Sequence, residues 1–255
     1  MPIIDLGWLA VTLLLAVRLG AIALVAPPLG SRLLPSAVRV SVVLAMSAVL
    51  ASLPASQGPA PVFSHIGGLI AAMASEAALG ATMALGLNIG FAVFTFGARL
   101  VDVQIGYGIG QVIDPLTSQP LPVVTAAFSQ LALLLFFLLD GHHAMLRGLV
   151  LSIEHFPPGR GWSIEAAFSP VIRHVGPLFS LGLAMLAPVV LTLVLVELSL
   201  GVAARSLPQL NVLALGFGIK VFVGLAALSI AVAAGSSVMA RTYRSVFQAW
   251  EALLQ

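Results

Sequence analysis

The feature that most constrains this chain is a succession of apolar runs with almost no charge to interrupt them. Runs at 6–25, 38–53, 66–99, 123–139, 165–204 and from 208 onward are separated by short polar or Pro/Gly-rich breaks. An α-helix rises about 1.5 Å per residue, so about 20 apolar residues cross a hydrocarbon core of about 30 Å. Only 8% of the residues are charged and 60% are hydrophobic, whereas a soluble domain carries about 25% charged residues. So few polar groups cannot cover so apolar an interior in water. The pattern predicts an all-α integral membrane protein of about six apolar helical segments, several of them long, kinked or broken.

The breaks refine that expectation. Pro27-Pro28-Leu29-Gly30 and the linker from Pro54 to Pro61 hold helix breakers and read as loops. The runs at 66–99 and 165–204 exceed one simple span. The first is expected to be a tilted or kinked helix or a helix pair, and the second to bend at Pro170, Pro177 and Pro188. Residues 142–156 form a weaker amphipathic piece that ends at Pro157-Pro158-Gly159. The stretch 241–255 is more polar and is expected to continue as a helix beyond the apolar zone. Asp5 precedes the first run, and no Lys or Arg occurs in the first ten residues. That run is therefore expected to remain as a membrane segment rather than a cleaved leader.

Composition also excludes functions. A net charge of +2 carries no basic surface for nucleic acid. With no cysteine there is no disulfide, iron–sulfur cluster or thiol catalysis. No nucleophile or metalloprotease motif is present, so the sequence does not read as an enzyme. Gly106-Tyr107-Gly108-Ile109-Gly110 lacks the spacing and the following lysine of a phosphate-binding loop. It reads instead as a flexible, close-packing loop that continues through Gln111, Asp114 and Pro115 to Pro122. Backbone of that kind is tolerated at membrane depth only where protein buries it or it lines a cavity, which suits a plug; a surface connector is the alternative. His142 and His143 are adjacent and point about 100° apart on a helix, a poor metal pair. Gly141 is expected to end the preceding helix, with the imidazoles bonded to nearby carbonyls. No cofactor or metal is expected.

Arg18, Glu76, Glu197 and Lys220 lie inside apolar runs. An unpaired charge at a bilayer centre costs about 3 kcal/mol or more, so each must face protein, water or a partner. Gly86 and Gly90 form a G-x-x-x-G that permits close helix approach, either within the chain or against another subunit. Arg205 and Pro208-Gln209-Leu210-Asn211 form a polar break. Arg205 suits a helix C-terminus and Pro208 a helix start. Gln209 and Asn211 offer amides to a neighbouring chain. Arg18, Glu76, Gly86, Gly90, Glu197, Arg205, Gln209, Asn211 and Lys220 are thus the candidates for subunit interfaces.

Taken in order, these residues resemble the FliR family of type III export-gate subunits. The likeness rests on Arg18 with Pro27-Pro28-Leu29-Gly30 and Pro35-x-x-x-Arg39, Glu76 with Gly80, and the glycine series to Asp114-Pro115. It continues through Phe136-Phe137-Leu138-Leu139-Asp140-Gly141-His142-His143, Ser152, Pro157 and Ala187-Pro188, and ends with Gly201, Arg205 and Pro208-Gln209-Leu210-Asn211. The chain departs from the family pattern at Asp140 and Glu197, where Asn is usual, and at Gly218, where Pro is usual. The resemblance implies one FliR-like membrane domain over 1–255, with 1–160 similar to FliP and 161–255 similar to FliQ. It further implies a helical gate built with FliP and FliQ homologues and served by FlhB and FlhA homologues. That gate would lie in the inner membrane at the flagellar basal body, with residues 106–122 as its plug and unfolded flagellar proteins as its cargo. A virulence-type gate and a self-contained secondary transporter using Glu76, Glu197 and Lys220 are the alternatives.

Overall fold

The computed structural model describes residues 6–30, 35–56, 63, 65–107, 111–114, 119–160, 164–206 and 212–254. Helices dominate. In chain order they are α1 (Leu6–Val25), the single turn α2 (Pro27–Gly30), α3 (Ser36–Ala51), a 3₁₀ turn (Pro54–Ser56) and α4 (Ile66–Ile105). Strands β1 (Gln111–Ile113) and β2 (Pro120–Pro122) follow, then α5 (Val123–Leu138), α6 (Gly141–His155), α7 (Ile164–Ser206) and α8 (Val212–Leu254). The run at 66–99 lies in one continuous helix rather than a pair, α4, which at 40 residues is about 60 Å long. The helix α7 runs on through Pro170, Pro177 and Pro188. Four helices among the described residues are long and apolar enough to cross a membrane, or five spans if α5 and α6 count as one broken crossing.

The chain divides into two compact units that interleave along the sequence. One comprises residues 1–89, 136–175 and 244–255, and the other 90–135 and 176–243.

In the first unit, α1 packs on α3. Its core takes Leu14, Leu15, Leu19 and Ile22 from α1, Leu79, Met83 and Leu87 from α4, and Leu149, Ile153 and Trp250 from α6 and α8. The amphipathic piece foreseen at 142–156 is α6, which buries Gly141, Met145, Gly148, Leu149, Ser152 and Ile153 along one stripe. Close approach depends on missing side chains. A Cβ on Gly80 would stand 2.2 Å from the Arg18 carbonyl oxygen, and one on Gly148 would stand 2.4 Å from the Trp250 ring. The Trp250 Nε1 donates to the Met83 carbonyl at 3.0 Å, which anchors the far end of α8 to α4. Asn88 donates to the Val25 carbonyl at 2.7 Å and so satisfies a group left open at the end of α1.

The α5–α6 junction bends by 68°. Asp140 sits there with φ 56°, a left-handed conformation open to Asp at modest cost. Gly141 does not end the preceding helix, as the sequence suggested; it opens the next one, and α5 has already stopped at Leu138. A Cβ on Gly141 would meet the Phe136 ring at 2.6 Å, so packing at the corner requires glycine there.

The second unit is built on aromatic and small-residue contacts. Phe91 and Phe94 pack their rings against Tyr243, whose hydroxyl donates to the Ala132 carbonyl at 2.6 Å. Burial pushes the pKa of that phenol up, so it stays a donor. Gly182 lets α7 approach α4; a Cβ there would lie 2.3 Å from Val93. Much of α8 nevertheless faces outward. Within Leu215–Gly235 only 6% of the best apolar window is buried, against 56% in α4.

Candidate functional site

Two polar constellations stand out, one in each unit. In the first, Arg18 of α1 is 1% exposed although it carries a charge. Its Nε donates to Glu76 Oε2 of α4 at 2.6 Å. Its Nη1 donates to the carbonyl and the hydroxyl oxygen of Ser152, each at 3.0 Å, and its Nη2 to the Phe156 carbonyl at 2.8 Å. The second Glu76 oxygen accepts from the Gly159 N–H at 3.1 Å. One planar guanidinium thus joins α1, α4 and the end of α6, where Phe156 leaves a carbonyl for it. Arg18 and Glu76 were singled out for a subunit interface; here they satisfy each other inside the chain. The geometry is a structural clamp.

The second constellation frames the loop at 106–122. The helix α4 ends where Gly106 takes φ +98°, with the N–H groups of Gly106 and Tyr107 both donating to the Asp102 carbonyl. The side chain of Asp102, fully buried, caps the next helix. It accepts from the N–H groups of Val124 and Thr125 at 3.0 and 2.8 Å and from the Thr125 hydroxyl at 2.6 Å. Asp114 is also fully buried, and accepts from Gln130 Nε2 at 2.7 Å and Ser129 Oγ at 3.4 Å. Asp102 therefore joins the helix before the loop to the start of α5, and Asp114 ties the middle of the loop to α5. The described part is more ordered than the glycines suggested. Strands β1 and β2 pair antiparallel, Gln111 with Pro122, Val112 with Leu121 and Ile113 with Pro120. The apolar side chains of β1 are left outside, Ile113 at 75% exposure, while Leu121 of β2 is half-buried. Tyr107 packs edge-on against Phe217 of α8, with centroids 6.1 Å apart.

Among the remaining predicted residues, Glu197 and Lys220 pair across α7 and α8 at 3.3 Å, Glu197 being the more exposed. Gly86 faces the Trp250 indole, and a Cβ there would stand 3.0 Å from Nε1, so this glycine packs within the chain. Gly90 is buried in α4 and Arg205 is exposed in the last turn of α7. Gly108, Ile109, Gly110, Pro115, Gln209 and Asn211 lie outside the described residues. Sequence reasoning missed Asp102 and Trp250. An aspartate just before a glycine loop and an indole in a polar helix tail carry no pattern of their own.

Comparison with known proteins gives these features a family. Residues 9–246 match the model of the bacterial export proteins, family 1. The chain is 27% identical over 237 residues to the flagellar biosynthetic protein FliR of Caulobacter vibrioides, covering 92% of this chain and 94% of the relative. It is 28% identical over 240 residues to the FliR of Bacillus subtilis, with 92% and 89% covered. The secretion system apparatus protein SsaT of Salmonella typhimurium is 30% identical over 135 residues, half of this chain and 52% of that one. With the family model spanning nearly the whole sequence, the chain belongs to the bacterial export proteins of family 1, the FliR family.

Proposed function

We propose that this chain is a subunit of the flagellar type III export gate, a conduit component rather than an enzyme. The observation that carries the reading is the family match across residues 9–246. Flagellar relatives align over about nine-tenths of the chain, whereas the SsaT alignment stops at half, which favours the flagellar over the virulence-type system. The outward apolar face of α8 supports an assembled role in the inner membrane, since a face so uncovered needs lipid or a neighbouring helix. Homologues of FliP and FliQ are the proposed neighbours, with 1–160 corresponding to the FliP-like part and 161–255 to the FliQ-like part. Homologues of FlhB and FlhA would act on the gate from outside it. Residues 106–122 are proposed as the plug: Asp102 closes their base, Asp114 holds their middle to α5, and Val112 and Ile113 present apolar side chains to whatever closes around them.

Co-expression with the FliP and FliQ homologues, followed by native mass spectrometry of the detergent-purified material, tests the assembly. A particle holding this chain with several copies of each supports it. A chain that stays alone and moves a solute into liposomes would replace it with the transporter reading. In the assembled gate, deletion of Gly106 to Gly110 is expected to open an ion leak; unchanged conductance rejects the plug.

A further inference from the structure

The corner between α5 and α6 carries a side-chain cluster that the gate reading does not use. Asp140, His142 and His143 each offer one ligand atom, and these atoms lie within 4.8 Å of one another. His143 Nδ1 stands 3.2 Å from Asp140 Oδ1. Two ligands about 2.1 Å from one ion are about 3.0–3.4 Å apart at octahedral or tetrahedral angles, so this pair already has ligand spacing. The objection that neighbouring histidines diverge applies to their Cβ atoms only. The two rings lie 4.1 Å apart, tilted by 37°.

Two further observations separate the cluster from an ordinary surface pair. Asp140 occupies the N-cap position of α6, yet its side chain caps nothing: the backbone is left-handed and no N–H of the first turn bonds the carboxylate. An N-cap aspartate normally accepts from the second or third N–H of its helix. In addition, His142 Nδ1 is buried and has no hydrogen-bond partner among the described residues. A buried ring nitrogen without a partner requires a reason, and a cation answers for both groups.

We propose that Asp140, His142 and His143 form a site for a divalent transition metal of the zinc type, placed at the 68° bend. Two imidazoles with one carboxylate favour such an ion over calcium or magnesium, which prefer all-oxygen sites. Asp140 and His143 are exposed at 74% and 66%, so solvent can complete the coordination. Because the three ligands span the N-cap and first turn of α6, the ion would stiffen the corner.

The test uses the tag-free, full-length protein in detergent, stripped with a chelator and titrated with Zn²⁺ against a chromophoric competitor. One ion per chain is expected. D140N and H143A are each expected to weaken binding by about tenfold or more, since losing a ligand exceeds the loss of an outer-shell partner. D140N replaces one oxygen with an isosteric amide at an exposed position, and Asn tolerates the left-handed backbone, so this variant keeps the fold. H155A alters a histidine that bonds only the Leu151 carbonyl of the same helix and is expected to bind like the wild type. With Co²⁺ as the probe, the visible bands of a nitrogen-ligated ion are expected in the wild type and lost in H142A. Binding without one-to-one saturation, wild-type affinity in D140N or H143A, or an equal loss in H155A overturns the site.

Discussion

Replacing Glu76 by alanine tests the clamp directly. The substitution removes the partner of a guanidinium that is 1% exposed, leaving Arg18 Nε without its acceptor at 2.6 Å and the Gly159 N–H without its acceptor at 3.1 Å. Breaking a buried pair from one side costs about 3–5 kcal/mol, because the surviving charge stays in a medium that solvates it poorly. For a chain of this size about 1 kcal/mol moves the melting point by about 2–4 °C, so E76A is expected to melt about 6–20 °C below the wild type. R18M is expected to cost a similar amount. The double variant E76L/R18M should recover much of the loss, since no orphaned charge remains and apolar replacements of buried pairs are often neutral. It will not recover all of it, because the Ser152 and Phe156 carbonyls lose their donor. Intrinsic tryptophan fluorescence during thermal unfolding of the detergent-purified chain reads E76A and the four states of the cycle, namely wild type, E76L, R18M and E76L/R18M. An E76A melt within about 2 °C of the wild type, or a double variant as damaged as the sum of the singles, would show that the pair does not hold the unit together.

Other consequences follow from the same geometry. D102A removes three hydrogen bonds at the start of α5 and is expected to cost about 2 kcal/mol, read as faster amide exchange at Val124 and Thr125; protection equal to the wild type would deny the cap its role. G148L drives a side chain into the Trp250 ring and should cost about 1–3 kcal/mol with a red-shifted indole emission, whereas an unshifted spectrum would mean that the ring is not seated there. Y243F removes one buried donor and keeps the ring contacts with Phe91 and Phe94, so a loss of about 1 kcal/mol is expected in the same melt, and a loss above about 3 kcal/mol would point to a role beyond that bond.

The fold class was legible because hydrophobic run length is a local property. The runs at 6–25, 123–139 and from 208 onward became α1, α5 and α8 with small shifts at the ends. What one segment could not reveal was its partner. Arg18 and Glu76 are 58 residues apart, and Arg18 and Ser152 are 134 apart, so their meeting depends on how three helices pack. The run at 66–99 exceeds one simple span, which left a single tilted or kinked helix and a helix pair both open. It lies in one helix, α4, which supplies residues to both compact units, with the boundary falling after Ile89. The hairpin was hidden by its size: two three-residue strands, one of them Pro-Leu-Pro, give no alternating pattern. At the candidate site the loop was located from its glycines with Asp114 inside it, but the anchoring role of Asp114 and of Asp102 was not. A buried aspartate is distinguished from a surface one only by the N–H groups that surround it, and those belong to α5.

The seat of Trp250 has a consequence for the order in which the first unit can be completed. A ribosome reaches that indole only after α4 and α6, the two helices that receive it at Gly86, Gly148 and the Met83 carbonyl, have already been made. Until then the groove between them stands open and apolar. During synthesis the unit therefore remains a receptor waiting for its own last helix, and any chaperone or subunit that engages the nascent chain early meets a surface that the finished protein no longer has.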